Sequence, residues 1–202
     1  RVIIQAHTRL NISNARDAIK PLINHENPLV SGAARAFFSR HFGETSLLST
    51  LVQQLGSEIP GQRRAAVIDL GDSGDRHQVS ALIQCPVSMP LRAKSTLQLI
   101  PELETDEESP EARQLFRRLL TDHPDQLRLK DEQLCSKSPK AIENFLQHRD
   151  EARQYGAAKQ LLQMDKKQAI QVIRDLNNRL GSDYVIHYYL TMCSSLIPLG
   201  EH

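Results

Sequence analysis

A repeat of about 31 residues constrains the fold of this 202-residue chain more than any other feature. Each of three stretches with helical apolar spacing contains a pair of small residues at a matching place and follows a dipeptide that ends in proline. The three dipeptides are Asn27-Pro28, Ile59-Pro60 and Met89-Pro90. Proline fits the first turn of a helix, and small side chains let two helices approach closely. The pattern therefore predicts a helix after each proline, packed against its neighbours through the small residues.

The segments between these stretches carry a second helical pattern. Apolar residues recur there three and four positions apart, as in Ile170, Ile173 and Leu176. This spacing gives one apolar stripe per helix and does not fit the alternation of a strand. Residues that favour helix N-caps, with or without a following proline, place the starts of these helices near residues 14, 45, 76, 109, 138 and 166.

Together the two patterns predict an all-α fold of about six helical hairpins and about twelve helices, in a single domain over residues 1–202. One hairpin is too small to bury its own stripe, so we expect the hairpins to stack into a curved α-α superhelix. Residues 1–13 are predicted to form half a hairpin at an open end that engages another segment or subunit, because RVIIQAHTRL has an apolar side but begins without a cap. Residues 123–136 form the weakest repeat half, and the acidic block at 102–111 is predicted to be a solvated loop.

The composition excludes several classes of protein. Lys and Arg number 25 against 24 Asp and Glu, so the chain lacks the positive charge that a dedicated nucleic-acid binder needs. No apolar run approaches the roughly eighteen residues of a transmembrane helix, so no membrane span is expected. Cys85, Cys135 and Cys193 lie far apart in no metal or redox spacing, which predicts thiols of a reducing compartment and a cytoplasmic protein.

Short motifs of known chemistry do not explain the chain. The eight histidines show no metal-ligand spacing, and no metal site is expected. The glycine motifs of phosphate-binding loops and dinucleotide-binding folds are absent. The string GDSGD at 71–75 is similar to the nucleophile turn of trypsin-like serine proteases, but it follows an amphipathic helix at the repeat spacing. We interpret it as a helix end at Gly71 and a helix N-cap at Asp75.

The string RRAAVIDLG at 63–71, with the DSGD that follows it, resembles the second helix and turn of a HEAT repeat. More narrowly, it is similar to the short HEAT-like repeat of the phycobilisome lyase family, which reads roughly val-arg-arg-ala-ala-x-x-leu-gly before a gly-asp turn. The repeats at Pro28, Pro90 and Ala157 match in part, whereas the segment DYVIHYYLTMCSSLIPLG departs from that pattern. The resemblance implies that the superhelix is of the HEAT-like type.

The resemblance also implies a function. Members of the family attach phycobilins, which are open-chain tetrapyrroles, to cysteines of phycobiliproteins, isomerise them, act as chaperones for those subunits or help to remove the pigment. We therefore expect a phycobilin lyase or chaperone-like protein with phycobilin as substrate and no permanently bound cofactor. Its expected partners are a phycobiliprotein subunit and a second HEAT-like subunit.

Two other functions are compatible with a HEAT-like fold. The main alternative is a non-enzymatic adaptor that binds another protein in its concave groove. A DNA glycosylase of the HEAT type is disfavoured, because such an enzyme needs positive charge and aromatic side chains that stack on a base, and the chain has no Trp and a formal charge of +1.

Five residues are candidates for contact with the pigment: Arg63, Arg64, Asp69, Arg92 and Lys94. Second helices of neighbouring repeats run side by side, so the four cations are expected to face one region. There they could hold the two propionates, while Asp69 could accept the pyrrole N–H bonds.

The arginines have a structural alternative. Arg63, Arg92 and Arg153 hold similar early positions in their second helices and could pair with nearby aspartates in a ladder between adjacent repeats. The aspartates of this ladder would be Asp69, Asp72 and Asp75.

Three tyrosines cluster with a histidine on the last predicted helix. Tyr184 and Tyr188 are four residues apart and share a helix face, and His187 and Tyr189 lie beside them. A terminal repeat must cover an exposed edge, so we favour a capping role for this cluster over ligand stacking.

Overall fold

A computed structural model describes residues 1–100 and 110–197, and within them every regular element is helical. The all-α prediction is confirmed for this part of the chain. It contains twelve α-helices, as predicted: α1 (Val2–Arg9), α2 (Arg16–Ile19), α3 (Pro28–Phe42), α4 (Ser49–Gln54), α5 (Pro60–Asp72), α6 (Val79–Ile83), α7 (Met89–Leu97), α8 (Pro110–Thr121), α9 (Pro139–Leu146), α10 (Glu151–Leu162), α11 (Lys166–Leu180) and α12 (Tyr184–Leu196). Short 3₁₀ helices add Lys20–Asn24, Thr45–Leu48, Arg76–Gln78, Pro124–Gln126 and Asp131–Gln133.

The chain divides into two compact units, of which the first is Arg1–Thr121. Its hairpins begin at Arg16, Thr45 and Arg76, close to the predicted positions. The second helices α3, α5 and α7 pack against one another in chain order. The first helices α4 and α6 lie against α5 and α7, and in the first hairpin the 3₁₀ helix Lys20–Asn24 lies against α3. Helix α1, which corresponds to the predicted half-hairpin, packs on α3 and α5.

The second unit is Asp122–His202, and its described part contains two hairpins, α9–α10 and α11–α12. Helix α10 packs on both α9 and α12, so second helices are again neighbours. Ser138 and Asp165 cap α9 and α11 with their side chains, as their residue types predict. A curved superhelix of the whole chain stays a prediction.

The fourth repeat departs from the predicted hairpin. Helix α8 begins at Pro110, beside the predicted start, but the segment at 123–136 forms two 3₁₀ turns instead of a second α-helix. Leu127 and Leu134 end these turns in extended conformation, which interrupts any helix through the segment. Most of the acidic block at 102–111 lies outside the described residues, so its loop prediction stays a prediction.

The small residues of the repeat lie in the helix seams, as predicted. Ala33-Ala34, Ala65-Ala66 and Ala157-Ala158 are all buried. A Cβ added to Gly71 would lie 2.8 Å from the Cβ of Ser95, so glycine is what lets α5 approach α7 this closely.

The GDSGD interpretation is half right. Helix α5 does not end at Gly71: it continues through Asp72, and the left-handed residue that follows it is Gly74, with φ of 75°. Gly71 lies inside the helix, and a glycine stands there because the close approach of α7 leaves no room for a side chain. The N-cap at Asp75 is confirmed, because its side chain accepts a hydrogen bond from the His77 amide at 3.1 Å.

Among the described residues, none of the helices combines the length and the apolar character that crossing a membrane requires.

Candidate functional site

Two of the predicted pigment-binding arginines close their own hairpins instead of facing a groove. Arg63 and Arg92 are each the fourth residue of a second helix, and both side chains are fully buried. Arg63 Nη1 donates to the carbonyl of Ser57 at 2.7 Å. Arg92 donates from Nε to the carbonyl of Val87 at 3.1 Å and from Nη1 to that of Ile83 at 2.9 Å. These bonds tie the second helix to the end of the first helix and to the connection between them.

Gln154 holds the equivalent position in α10, one residue beyond the predicted Arg153. Its Nε2 atom donates to the carbonyls of Leu146 at 3.2 Å and His148 at 2.8 Å. Arg153 instead stacks over the ring of Phe145. The equivalence of Arg153 with Arg63 and Arg92 is therefore wrong by one residue. Counting from the N-cap of each second helix would have found Gln154, because a side chain four residues after the cap points back toward the preceding turn.

We call these three side chains, Arg63, Arg92 and Gln154, the hairpin struts. Each of them donates to main-chain carbonyls of its own hairpin. The predicted ladder would instead have joined arginines to aspartates of adjacent repeats. A buried carbonyl without a donor costs about 1–3 kcal/mol, so a strut satisfies groups that the connection would otherwise leave unpaired.

Two of the three aspartates of the predicted ladder, Asp69 and Asp72, bind helix α1 and the residue before it. Arg1 Nη1 lies 2.9 Å from Oδ2 of Asp69, and Gln5 Nε2 donates to Oδ1 of the same carboxylate at 3.1 Å. Arg9 Nε donates to Oδ1 of Asp72 at 2.9 Å. Both carboxylates are buried, and together they hold α1 on α5.

Burial dominates the titration of Asp69. It raises the pKa of this carboxyl to about 6, against the opposing effects of Arg1 and Gln5, which lower it. The hydrogen bond to Asp72 raises the pKa of Arg9. Asp69 therefore already has internal partners on both oxygens, which leaves little capacity for pyrrole N–H groups.

The five predicted pigment contacts thus separate into two groups. Arg63, Arg92 and Asp69 are buried and bind within the protein, whereas Arg64 is partly exposed and Lys94 is exposed. The structure does not bring all five to one accessible surface.

A cleft of about 400 Å³ lies between α11 and α12 of the second unit. Its polar side includes His187, whose Nδ1 atom is 3.2 Å from Oδ1 of Asn177 and whose Nε2 atom is 3.5 Å from the Thr191 hydroxyl. Its lining residues are Ile170, Ile173, Arg174, Asn177, His187, Leu190, Thr191, Ser194 and Ile197. The sequence marked Ile170 and Ile173 as stripe residues and His187 as a neighbour of the tyrosines, but it did not indicate the cleft, because the pairing of two helices brings these residues together.

The tyrosine cluster is largely structural. Tyr155 and Tyr188 both donate their hydroxyls to the buried carboxylate of Asp122, and the ring of Tyr189 packs edge-on against Tyr155 at 5.0 Å. Tyr184 is 91% exposed and takes no part in this arrangement. The contacts of Tyr188 and Tyr189 favour the capping role, and the sequence carried no signal for Asp122.

The three cysteines are thiols in protected surroundings. Cys85 and Cys193 are buried, and Cys135 is partly buried. Burial raises the pKa of Cys193 to about 12 and also raises that of Cys135. Poorly ionised thiols are weak nucleophiles. The described residues contain no group of three or more His, Cys, Asp or Glu side chains arranged to hold a metal ion.

The fold and its contacts define an all-α protein built from helical hairpins with buried polar struts. Comparison with protein-family models and with curated proteins gives no match.

Proposed function

We propose that the protein is a phycobilin lyase or chaperone-like protein that assists attachment of a linear tetrapyrrole to a cysteine of a phycobiliprotein subunit, working in the cytoplasm. The observation that carries the proposal is the position of the string RRAAVIDLG. It forms most of α5, a second helix that packs against both α3 and α7, and a second helix is the position that the resemblance implies for it.

The proposed mechanism is positioning rather than nucleophilic catalysis by this chain. The acceptor thiolate of the phycobiliprotein adds to a vinyl or ethylidene group of the pigment: a C–S bond forms at one carbon and a proton is added at the other, so no oxidant is needed. The raised pKa values of Cys135 and Cys193 support a nucleophile supplied by the partner. Holding pigment and subunit together supplies the entropic part of the rate enhancement.

Arg64 and Lys94 keep the proposed role of holding the pigment propionates. They lie one and two residues beyond the struts Arg63 and Arg92, on neighbouring second helices, and neither is buried. Arg63, Arg92 and Asp69 act in this proposal as supports of the helices that carry these cations.

Co-expression tests the proposal. The protein is produced with bilin-synthesis enzymes and candidate phycobiliprotein subunits, and covalent pigment is detected by zinc-induced fluorescence on a denaturing gel. We expect pigment on the subunit only when this chain is present. The double variant Arg64→Gln, Lys94→Gln is expected to transfer less pigment while it keeps the wild-type circular dichroism spectrum. The control variant Lys166→Gln, Lys167→Gln removes two exposed cations of α11 and is expected to transfer normally. Absence of pigment transfer with every subunit and bilin contradicts the lyase function.

The second candidate is a HEAT-repeat adaptor without chemistry. It is favoured by the internal pairing of Arg63, Arg92 and Asp69, which removes most of the predicted pigment site. The exposed apolar side of α1, with Val2 and Ile3, is the surface that we propose for a second HEAT-like subunit. Mixing the purified protein with a phycobilin separates the two functions: a shifted visible absorption band supports pigment handling, and an unchanged spectrum with retained subunit binding supports the adaptor.

A further inference from the structure

We propose that the cleft between α11 and α12 binds the carboxylate end of a small amphipathic molecule. The cleft has the size of an ordinary ligand site, and its residues separate into an apolar and a polar set. It lies wholly within the second unit, whereas the residues proposed for pigment contact belong to the first. The inference therefore does not depend on the proposed function.

The polar set carries positive charge without a negative counterpart. Arg174 makes no hydrogen bond or ion pair within the described residues, and it lines the cleft. No Asp or Glu is among the lining residues. An arginine fork matches the two oxygens of a carboxylate, so a site with this charge pattern selects an anion.

His187 completes the polar side. Asn177 on α11 and Thr191 on α12 lie on opposite sides of its ring and orient it between the two helices. Ser194 adds a hydroxyl one turn further along α12. One arginine beside uncharged hydroxyl and amide groups suits a singly charged head group, whereas a phosphate recruits several cations.

The apolar set defines the rest of the ligand. Ile170, Ile173, Leu190 and Ile197 contribute side chains from both helices. Transfer of an aliphatic body onto such a surface stabilises binding in proportion to the apolar area that it removes from water. The expected ligand is therefore a carboxylate with a hydrocarbon or planar apolar body. A free aliphatic acid and the propionate arm of a tetrapyrrole both have this chemistry.

Calorimetric titration with octanoate tests the site, with octanol as a neutral probe that has the same aliphatic body. We expect octanoate to bind and octanol to bind at least tenfold more weakly. The variant Arg174→Gln is expected to lose about tenfold in octanoate affinity, which is the range of one charge-assisted hydrogen bond. Lys167→Gln removes a cation from the same helix outside the cleft and is expected to leave the affinity unchanged.

A competition experiment distinguishes the two sources of the carboxylate. Displacement of octanoate by biliverdin but not by its dimethyl ester assigns the cleft to a tetrapyrrole propionate, and failure of biliverdin to compete assigns it to aliphatic acids. The proposal is overturned if octanoate does not bind at millimolar concentration, if octanol binds equally well, or if Arg174→Gln and Lys167→Gln behave alike while both variants retain the wild-type circular dichroism spectrum.

Discussion

Replacing Gln154 by leucine tests the strut in the hairpin α9–α10. The change keeps a side chain of similar volume but removes both donors to the carbonyls of Leu146 and His148. Each lost bond costs about 1 kcal/mol, and leaving buried carbonyls unpaired adds to this, so we expect a loss of about 2–3 kcal/mol. For a unit of this size, a urea slope of about 1 kcal/mol per M converts the loss into a midpoint shift of roughly 2 M.

Tyrosine fluorescence reports this unfolding selectively. The chain has no Trp and four Tyr, at 155, 184, 188 and 189, all within the second unit. A urea titration followed by tyrosine emission therefore follows the unit that contains the strut, while circular dichroism follows the whole chain.

Two further variants make the test decisive. Gln163→Leu changes an exposed glutamine at the end of the same helix and is expected to shift stability by less than about 0.5 kcal/mol. Gln154→Glu places a carboxylate that cannot donate against two carbonyls, so it should be more harmful at pH 7 than at pH 4. The reasoning is refuted if Gln154→Leu is as stable as Gln163→Leu.

Three more predictions follow from the first unit and the thiols. Burial raises the pKa of Asp69 from 3.8 to about 6, so the folded state binds the proton more tightly and stability falls by about 2 kcal/mol as pH rises from 4 to 6; urea titrations should show a flatter pH profile for Asp69→Asn, and an equal profile contradicts the prediction. Gly71→Ala should lower the free energy of unfolding by about 1–3 kcal/mol in thermal unfolding, because the added Cβ meets Ser95. The control Gly61→Ala, which adds a Cβ in open space, should leave the free energy of unfolding unchanged, and equal effects of the two variants would refute the close packing. Native protein should react slowly with a thiol reagent at Cys193 and faster at Cys135, as measured by mass spectrometry of digested peptides, and the reverse order contradicts the burial.

Helix starts were predictable because the signals for them are local. Ser138, Asp165 and Asp75 cap helices with their own side chains, which depends only on the residues beside them. The fourth repeat was not predictable to the same degree, since its apolar residues 127 and 129 lie two apart and give no helical stripe.

The candidate site was harder to predict than the fold for a physical reason. Arginines at a repeat spacing indicate that their positions are equivalent, but not whether the side chains turn toward solvent or toward the carbonyls of their own hairpin. Arg63 and Arg92 turn inward because the connection leaves carbonyls that need donors. The cleft at Arg174 and His187 depends on the pairing of two helices, so neither helix alone contains its pattern.

The hairpin struts also bear on how such a chain can change in length. Strut donors and their acceptors lie within about ten residues of one another, as Arg92 and Ile83 do, so the strut bonds of each hairpin come from its own sequence. Duplication or deletion of one hairpin therefore leaves the strut bonds of its neighbours in place. The ion pairs Arg1–Asp69 and Arg9–Asp72 instead join residues 68 and 63 positions apart, so the register of α1 depends on a hairpin that is distant in the sequence.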